Sequence, residues 1–132
     1  MPGLALYDFG DMVRTATSPA LEDEPDTSKV RMQMPMFEAL VRGYLAGAGS
    51  MLCTVEMEEL PFASKLITLE NGIRFLTDYL EGDQYFKIQR EHQNLDRCRT
   101  QIALAQSIEG QLEAMHDVVQ KTAEQGLTKC VS

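Results

Sequence analysis

Apolar positions recur every three or four residues through most of the chain, and nowhere does a longer stretch alternate as a strand would. A first helix is expected over 5–17, with Leu6, Phe9, Val13 and Ala16 on one face. Ser18-Pro19 stops it. The segment 18–28 carries Glu22, Asp23, Glu24 and Asp26 with two prolines, and it reads as an acidic surface loop. Residues 30–34 alternate apolar and polar, which predicts a short extended piece. Pro35 suits the first position of a second helix, where its missing N–H costs nothing. Met36, Phe37, Leu40, Val41, Tyr44 and Leu45 form that helix's stripe, and Gly47-Ala48-Gly49-Ser50 ends it.

Thr54 is the expected N-cap of the next helix, with Glu56, Glu58 and Glu59 in its first turns, where the helix dipole favours negative charge. Pro61 either restarts this helix or kinks it. Phe62, Ala63, Leu66, Leu69, Ile73, Leu76 and Leu80 then make an apolar stripe down to Gly82-Asp83. A last long helix is expected over 89–125, with the stripe Leu95, Cys98, Ile102, Ala105, Ile108, Leu112, Met115 and Val119. The pattern predicts an all-α protein of four or five helices, one domain over 1–121 and a tail over 122–132.

Length sharpens this picture: 132 residues suit one compact domain. Hydrophobic residues at 44% and charged residues at 24% suffice for a core and argue against wholesale disorder. The net charge of −8 opposes binding to nucleic acid, which gains affinity by neutralising phosphates. No apolar run approaches a membrane span, and Met1-Pro2-Gly3-Leu4 offers neither a basic nor an apolar leader region. Cys53, Cys98 and Cys130 are an odd number and widely separated. They suit a reducing cytoplasm better than a disulfide framework or a zinc site.

Little local sequence carries chemistry. Asp8-Phe9-Gly10 spells the metal-binding tripeptide of protein kinases, but the glycine-rich loop, lysine and catalytic loop such a site needs are missing around it. Asp8 and Asp11 are better read as acids of the first helical turn. His92 and His116 have no histidine or cysteine at ligand spacing and are expected in exposed or capping roles. Cys98 reads as core, and the methionines between Met32 and Met57 as gap-filling packing. The segment Asp83-Gln84-Tyr85-Phe86-Lys87-Ile88-Gln89-Arg90 stands out, because it mixes two aromatics with cations between two long helices. Aromatic faces and cationic forks are tools for gripping a sugar or a phosphorylated ligand. A hinge with inward aromatics and locally paired charges explains the same residues. Arg74, with Glu70 and Asp78 one turn to either side, fits an ion-pair ladder.

Three ordered stretches resemble the C-terminal region of sugar kinases in the aminoglycoside/choline phosphotransferase superfamily, nearest to the N-acetylhexosamine 1-kinases. They are 1–14, containing Leu6-Tyr7-Asp8-Phe9-Gly10-Asp11; Glu70-Asn71-Gly72-Ile73-Arg74-Phe75-Leu76-Thr77-Asp78-Tyr79-Leu80 running on to Asp83-Gln84-Tyr85-Phe86; and Asn94-Leu95-Asp96-Arg97-Cys98-Arg99-Thr100-Gln101. The resemblance spans 1 to about 119. It implies a helical subdomain of a protein-kinase-like fold and ATP- and magnesium-dependent phosphorylation of an N-acetylhexosamine at its anomeric hydroxyl. It also implies that Arg74 and Tyr85 contact the sugar. In such kinases the nucleotide lobe, the catalytic-loop aspartate and the metal-binding aspartate lie upstream of the position matching Met1. This chain therefore corresponds to a C-terminal part, expected to hold neither ATP nor magnesium and to transfer no phosphoryl group by itself. The rival expectation is a free-standing helical interaction module without catalysis. Self-association as a dimer is expected, with the 95–119 stripe as its seam unless the core already uses it.

Overall fold

The computed structural model describes residues 2–48 and 54–131. Among them every regular element is helical. The order is α1 (Pro2–Ala16), a 3-10 turn (Thr27–Lys29), α2 (Met34–Ala48), the short α3 (Thr54–Glu58), α4 (Leu60–Leu80), α5 (Gln93–Gly110) and α6 (Leu112–Val131). The all-α expectation holds, with six helices, one of them a single short turn.

One core gathers Phe9 and Val13 of α1, Phe37 and Val41 of α2, Leu60 of α4, Leu104 and Ile108 of α5, and Met115 and Val119 of α6. Phe9 lies at its centre, with its ring centroid 5.9 Å from Phe37 and 5.1 Å from Tyr44. The kinase-like tripeptide is thus helix-packing material. Phe9 is wholly buried, Gly10 faces α4, and Asp8 is exposed. Because α1 begins at Pro2, Asp8 and Asp11 lie in mid-helix rather than in the first turn, and Asp11 pairs with Arg14 at 2.9 Å. Val30 has an extended backbone, and Val30 and Met32 are buried with Arg31 exposed between them; Met34, the last residue of the expected extended piece, instead begins α2. Ser107 accepts the Met32 N–H at 2.9 Å, and the Gln111 amide donates to the Met32 carbonyl at the same distance.

Two expectations need correction. The long helix over 89–125 is two helices. Gly110 has poor helix propensity, and Gln111 turns out of the helical region at φ −119° before α6 begins. The helical backbone of α6 then continues through the stretch read as a tail. The 95–119 stripe is used inside the chain: Cys98, Ala105, Ile108, Met115 and Val119 are all buried, and Ile102 alone of the stripe is exposed.

The second correction concerns α4. A helix ordinarily buries its most apolar stripe, yet Phe62, Leu66, Ile73, Leu76 and Leu80 are exposed, and only Ala63 of the expected stripe is buried. The buried face is Leu60, Ala63, Ser64, Ile67, Thr68, Asn71, Gly72, Phe75 and Asp78. Small residues win because they allow close approach on two sides. A Cβ on Gly10 would stand 2.9 Å from the Ala63 carbonyl, and one on Gly72 would stand 3.2 Å from the Gln101 side chain. The polar members of this face satisfy themselves on their own helix. Ser64, Thr68 and Asn71 donate to the carbonyls of Leu60, Ser64 and Ile67 at 2.7–2.9 Å. Pro61 sits in the first turn of α4, so it restarts the helix after α3. Thr54 is the first residue of α3, and the cap position before it lies outside the described residues.

The acidic loop is surface-lying but tied down. Glu22 pairs with Arg14 and Arg97, its carbonyl accepts from Thr100, and Asp23 accepts from Arg90 and Gln93. The loop thereby bridges α1 to the start of α5.

Two glycines test the close-packing account. Gly10→Ala is expected to lose about 1–3 kcal/mol by overpacking, whereas Gly43→Ala, on α2 with nothing near its Cβ, should gain up to about 1 kcal/mol. Urea melts followed by circular dichroism check the pair, and a harmless Gly10→Ala would contradict the α1–α4 packing.

Candidate functional site

The C-terminal end of α4 builds a small groove. Gly82, at φ 93°, terminates the helix in a Schellman arrangement: its N–H donates to the Tyr79 carbonyl and the Asp83 N–H donates to the Asp78 carbonyl at 2.8 Å. The chain then doubles back along α4. Asp78 holds it there with its side chain as well, for one carboxylate oxygen accepts the Tyr85 N–H at 2.7 Å and the other the Phe86 N–H at 3.0 Å. Asn94 of α5 clamps the turn from the far side, donating to Asp78 at 2.8 Å and to Asp83 at 3.0 Å. Asp78 is only 3% exposed. Burial pushes its carboxyl up, but the N–H donors of Phe86, Tyr85 and Gln84 and the Asn94 amide outweigh it and hold the group below the ordinary carboxylate range.

This turn sets Tyr85 and Phe86 beside Arg74. The Arg74 guanidinium carbon lies 5.9 Å from the centroids of both rings, within cation–π range. Phe86 is half-buried against Phe75 at 4.7 Å, while Tyr85 is 75% exposed and stands edge-on to Phe86. Arg74, Thr77, Asp78, Glu81, Tyr85 and Phe86 line a groove of about 310 Å³, at the small end of the range for small-molecule sites. Its free donors are the guanidinium fork, the tyrosine hydroxyl and the Thr77 hydroxyl. Glu81 supplies an acceptor, and the aromatic faces offer a stacking surface. A polyhydroxylated ring has the matching chemistry.

The two residues expected to contact a sugar are therefore neighbours in one groove. The ion-pair ladder is not formed: Asp78 turns inward to the loop, and Arg74 faces the rings. The inward-aromatic hinge is realised for Phe86 and not for Tyr85. Sequence reading missed Thr77 and Glu81, one and two turns beyond Arg74 on the same edge, and it missed the anchoring role of Asp78. The signal for Asp78 was Gly82-Asp83 just after it, since a turn so close to an acid leaves free N–H groups within reach.

The other candidates do not converge here. Arg90 pairs with Asp96 at 2.7 Å and with Asp23, Arg97 bonds to Asn94 at 2.8 Å and stacks over Phe75, and Arg99 leans on Asp96. These cations tie down the acidic loop and α5 rather than forming a free basic face. His92 stands before α5 with a left-handed backbone at φ 64°, and its Nδ1 hydrogen-bonds the Tyr79 hydroxyl at 2.7 Å instead of capping the helix. His116 is exposed on α6. Cys98 is buried, and that burial pushes its thiol up. Among the described residues, no group of three or more His, Cys, Asp or Glu is placed to hold a metal ion, and no helix is long and apolar enough to cross a membrane.

No protein-family model matches the chain.

Since Asp78 titrates below its unfolded value, it adds stability that is present above the ordinary carboxylate pKa and lost as pH falls through the native one. Thermal melts of the wild type and Asp78→Asn should differ most near neutral pH and converge in acid. Parallel curves across that window would remove Asp78 as the anchor of the turn.

Proposed function

We propose that the α4–α5 groove binds an N-acetylhexosamine, and that the chain is the sugar-side helical part of a sugar 1-kinase-like phosphotransferase. One observation carries this reading: Arg74 and Tyr85, singled out by resemblance, share a groove whose other groups suit sugar hydroxyls. An arginine fork donates to hydroxyl or N-acetyl oxygens, and a tyrosine can stack and hydrogen-bond at once. A cytoplasmic setting belongs to the same reading.

Catalysis would need more than this groove. Phosphoryl transfer depends on cations and positioned donors around the γ-phosphate, and the described acids do not gather into a metal site. The described residues do not fit magnesium or the triphosphate. Without such placement about 7–11 kcal/mol of barrier reduction is forfeited. The chain alone should form no sugar phosphate from ATP, magnesium and N-acetylhexosamines above a protein-free blank. Turnover abolished by Asp8→Asn would overturn that.

The exposed apolar row of α4 favours a second reading, a helical interaction module that self-associates as a dimer. NMR titration with N-acetylglucosamine and N-acetylgalactosamine separates the two. Sugar binding should shift resonances over 74–86. Arg74→Ala should weaken it about tenfold or more, because a hydrogen bond from a charged donor contributes about 1.5–3 kcal/mol. Tyr85→Phe should weaken it less. Shifts confined to 32–57, or none at all, would leave the module reading standing alone.

A further inference from the structure

The exposed row on α4 has a period of its own. From Phe62 through Leu66, Leu69, Ile73 and Leu76 to Leu80, the steps alternate four and three. That 3.5-residue repeat is the pattern of a helix–helix seam. Leu69 is half-buried and the rest are exposed, Ile73 at 64% and Leu80 at 74%. The opposite face of α4 is filled by α1 and α5, so the row cannot turn inward to find cover.

The row also fits itself. Laid against a second α4 running the other way, Phe62 meets Leu80, Leu66 meets Leu76 and Leu69 meets Ile73, with no polar side chain falling between them. A parallel pair would set Glu70 against Lys65, which already pairs with Glu109 at 3.4 Å.

We propose that this row is the seam of a homodimer in which the α4 helices of two copies pair antiparallel about a two-fold axis between Leu69 and Ile73. The exposed apolar surface amounts to roughly 1,000 Å² over both copies, the lower limit for a specific interface, so the dimer should be micromolar or weaker. The proposal deepens the self-association reading and does not require sugar binding.

Sedimentation equilibrium of the full chain, from low to several hundred micromolar, should show a reversible monomer–dimer equilibrium. Ile73→Glu should leave a monomer with an unchanged helical circular dichroism spectrum, since the position is solvent-facing. Leu66→Glu and Leu76→Lys should each be monomeric alone, yet their mixture should form a heterodimer. In the antiparallel register the new carboxylate meets the new ammonium at one end, while the other end keeps Leu66 on Leu76. A wild type that stays monomeric throughout removes self-association itself. Association that survives Ile73→Glu removes this seam alone, and a mixture that stays monomeric overturns the antiparallel register.

Discussion

Everything distinctive in this protein follows from which face of α4 is buried. The helix offers two candidates, a row of large apolar residues and a row of small and self-satisfied polar ones. The second packs inward because Gly10, Ala63 and Gly72 let three backbones approach more closely than large side chains would permit. Its hydroxyls and amide give up no hydrogen bonds when buried, since each finds a carbonyl one turn back on the same helix. Close contact along the whole helix thereby offsets the apolar area left outside.

That choice places the groove. Phe75 and Asp78 continue the buried row to its C-terminal end, so the carboxylate enters the protein where the chain must reverse at Gly82. A buried acid needs donors, and the nearest unsatisfied ones are the backbone N–H groups of the turn. The reversal therefore folds onto Asp78 and carries Tyr85 and Phe86 back beside Arg74. The same rotation of α4 leaves Arg74, Thr77 and Glu81 along the edge of the helix, about a quarter turn from the core. Had the apolar row been buried, Asp78 would lie in solvent and the groove would lack a floor.

Much of the fold was legible in the sequence. The helices, the burial of Val30 and Met32 and the core residues Phe9, Val13, Phe37, Val41, Ile108 and Val119 follow from spacing alone, because long periodic segments bury what the period predicts. The face of α4 was not legible in that way. Hydrophobicity ranks Leu66 above Ser64 and Ile73 above Asn71, and nothing local reveals that a glycine on α1 and another on α4 itself make the smaller face fit. The break at Gly110 was open to view but was outweighed by the stripe running through it. The site was half legible: Arg74 and Tyr85 were named from resemblance, whereas the turn that joins them depends on Asn94 and Asp78 meeting across two helices.

Ile67 and Ile73 sit on opposite faces of the same helix, 7% and 64% exposed, and their methyl groups report the rotation of α4 directly. The decisive measurement is the relaxation enhancement of these two methyls by a soluble paramagnetic chelate, taken on methyl-labelled protein at low micromolar concentration. Strong broadening of Ile73 with Ile67 spared is the expected result. Equal broadening, or a protected Ile73 beside an accessible Ile67, would contradict the burial of the small face and everything built on it.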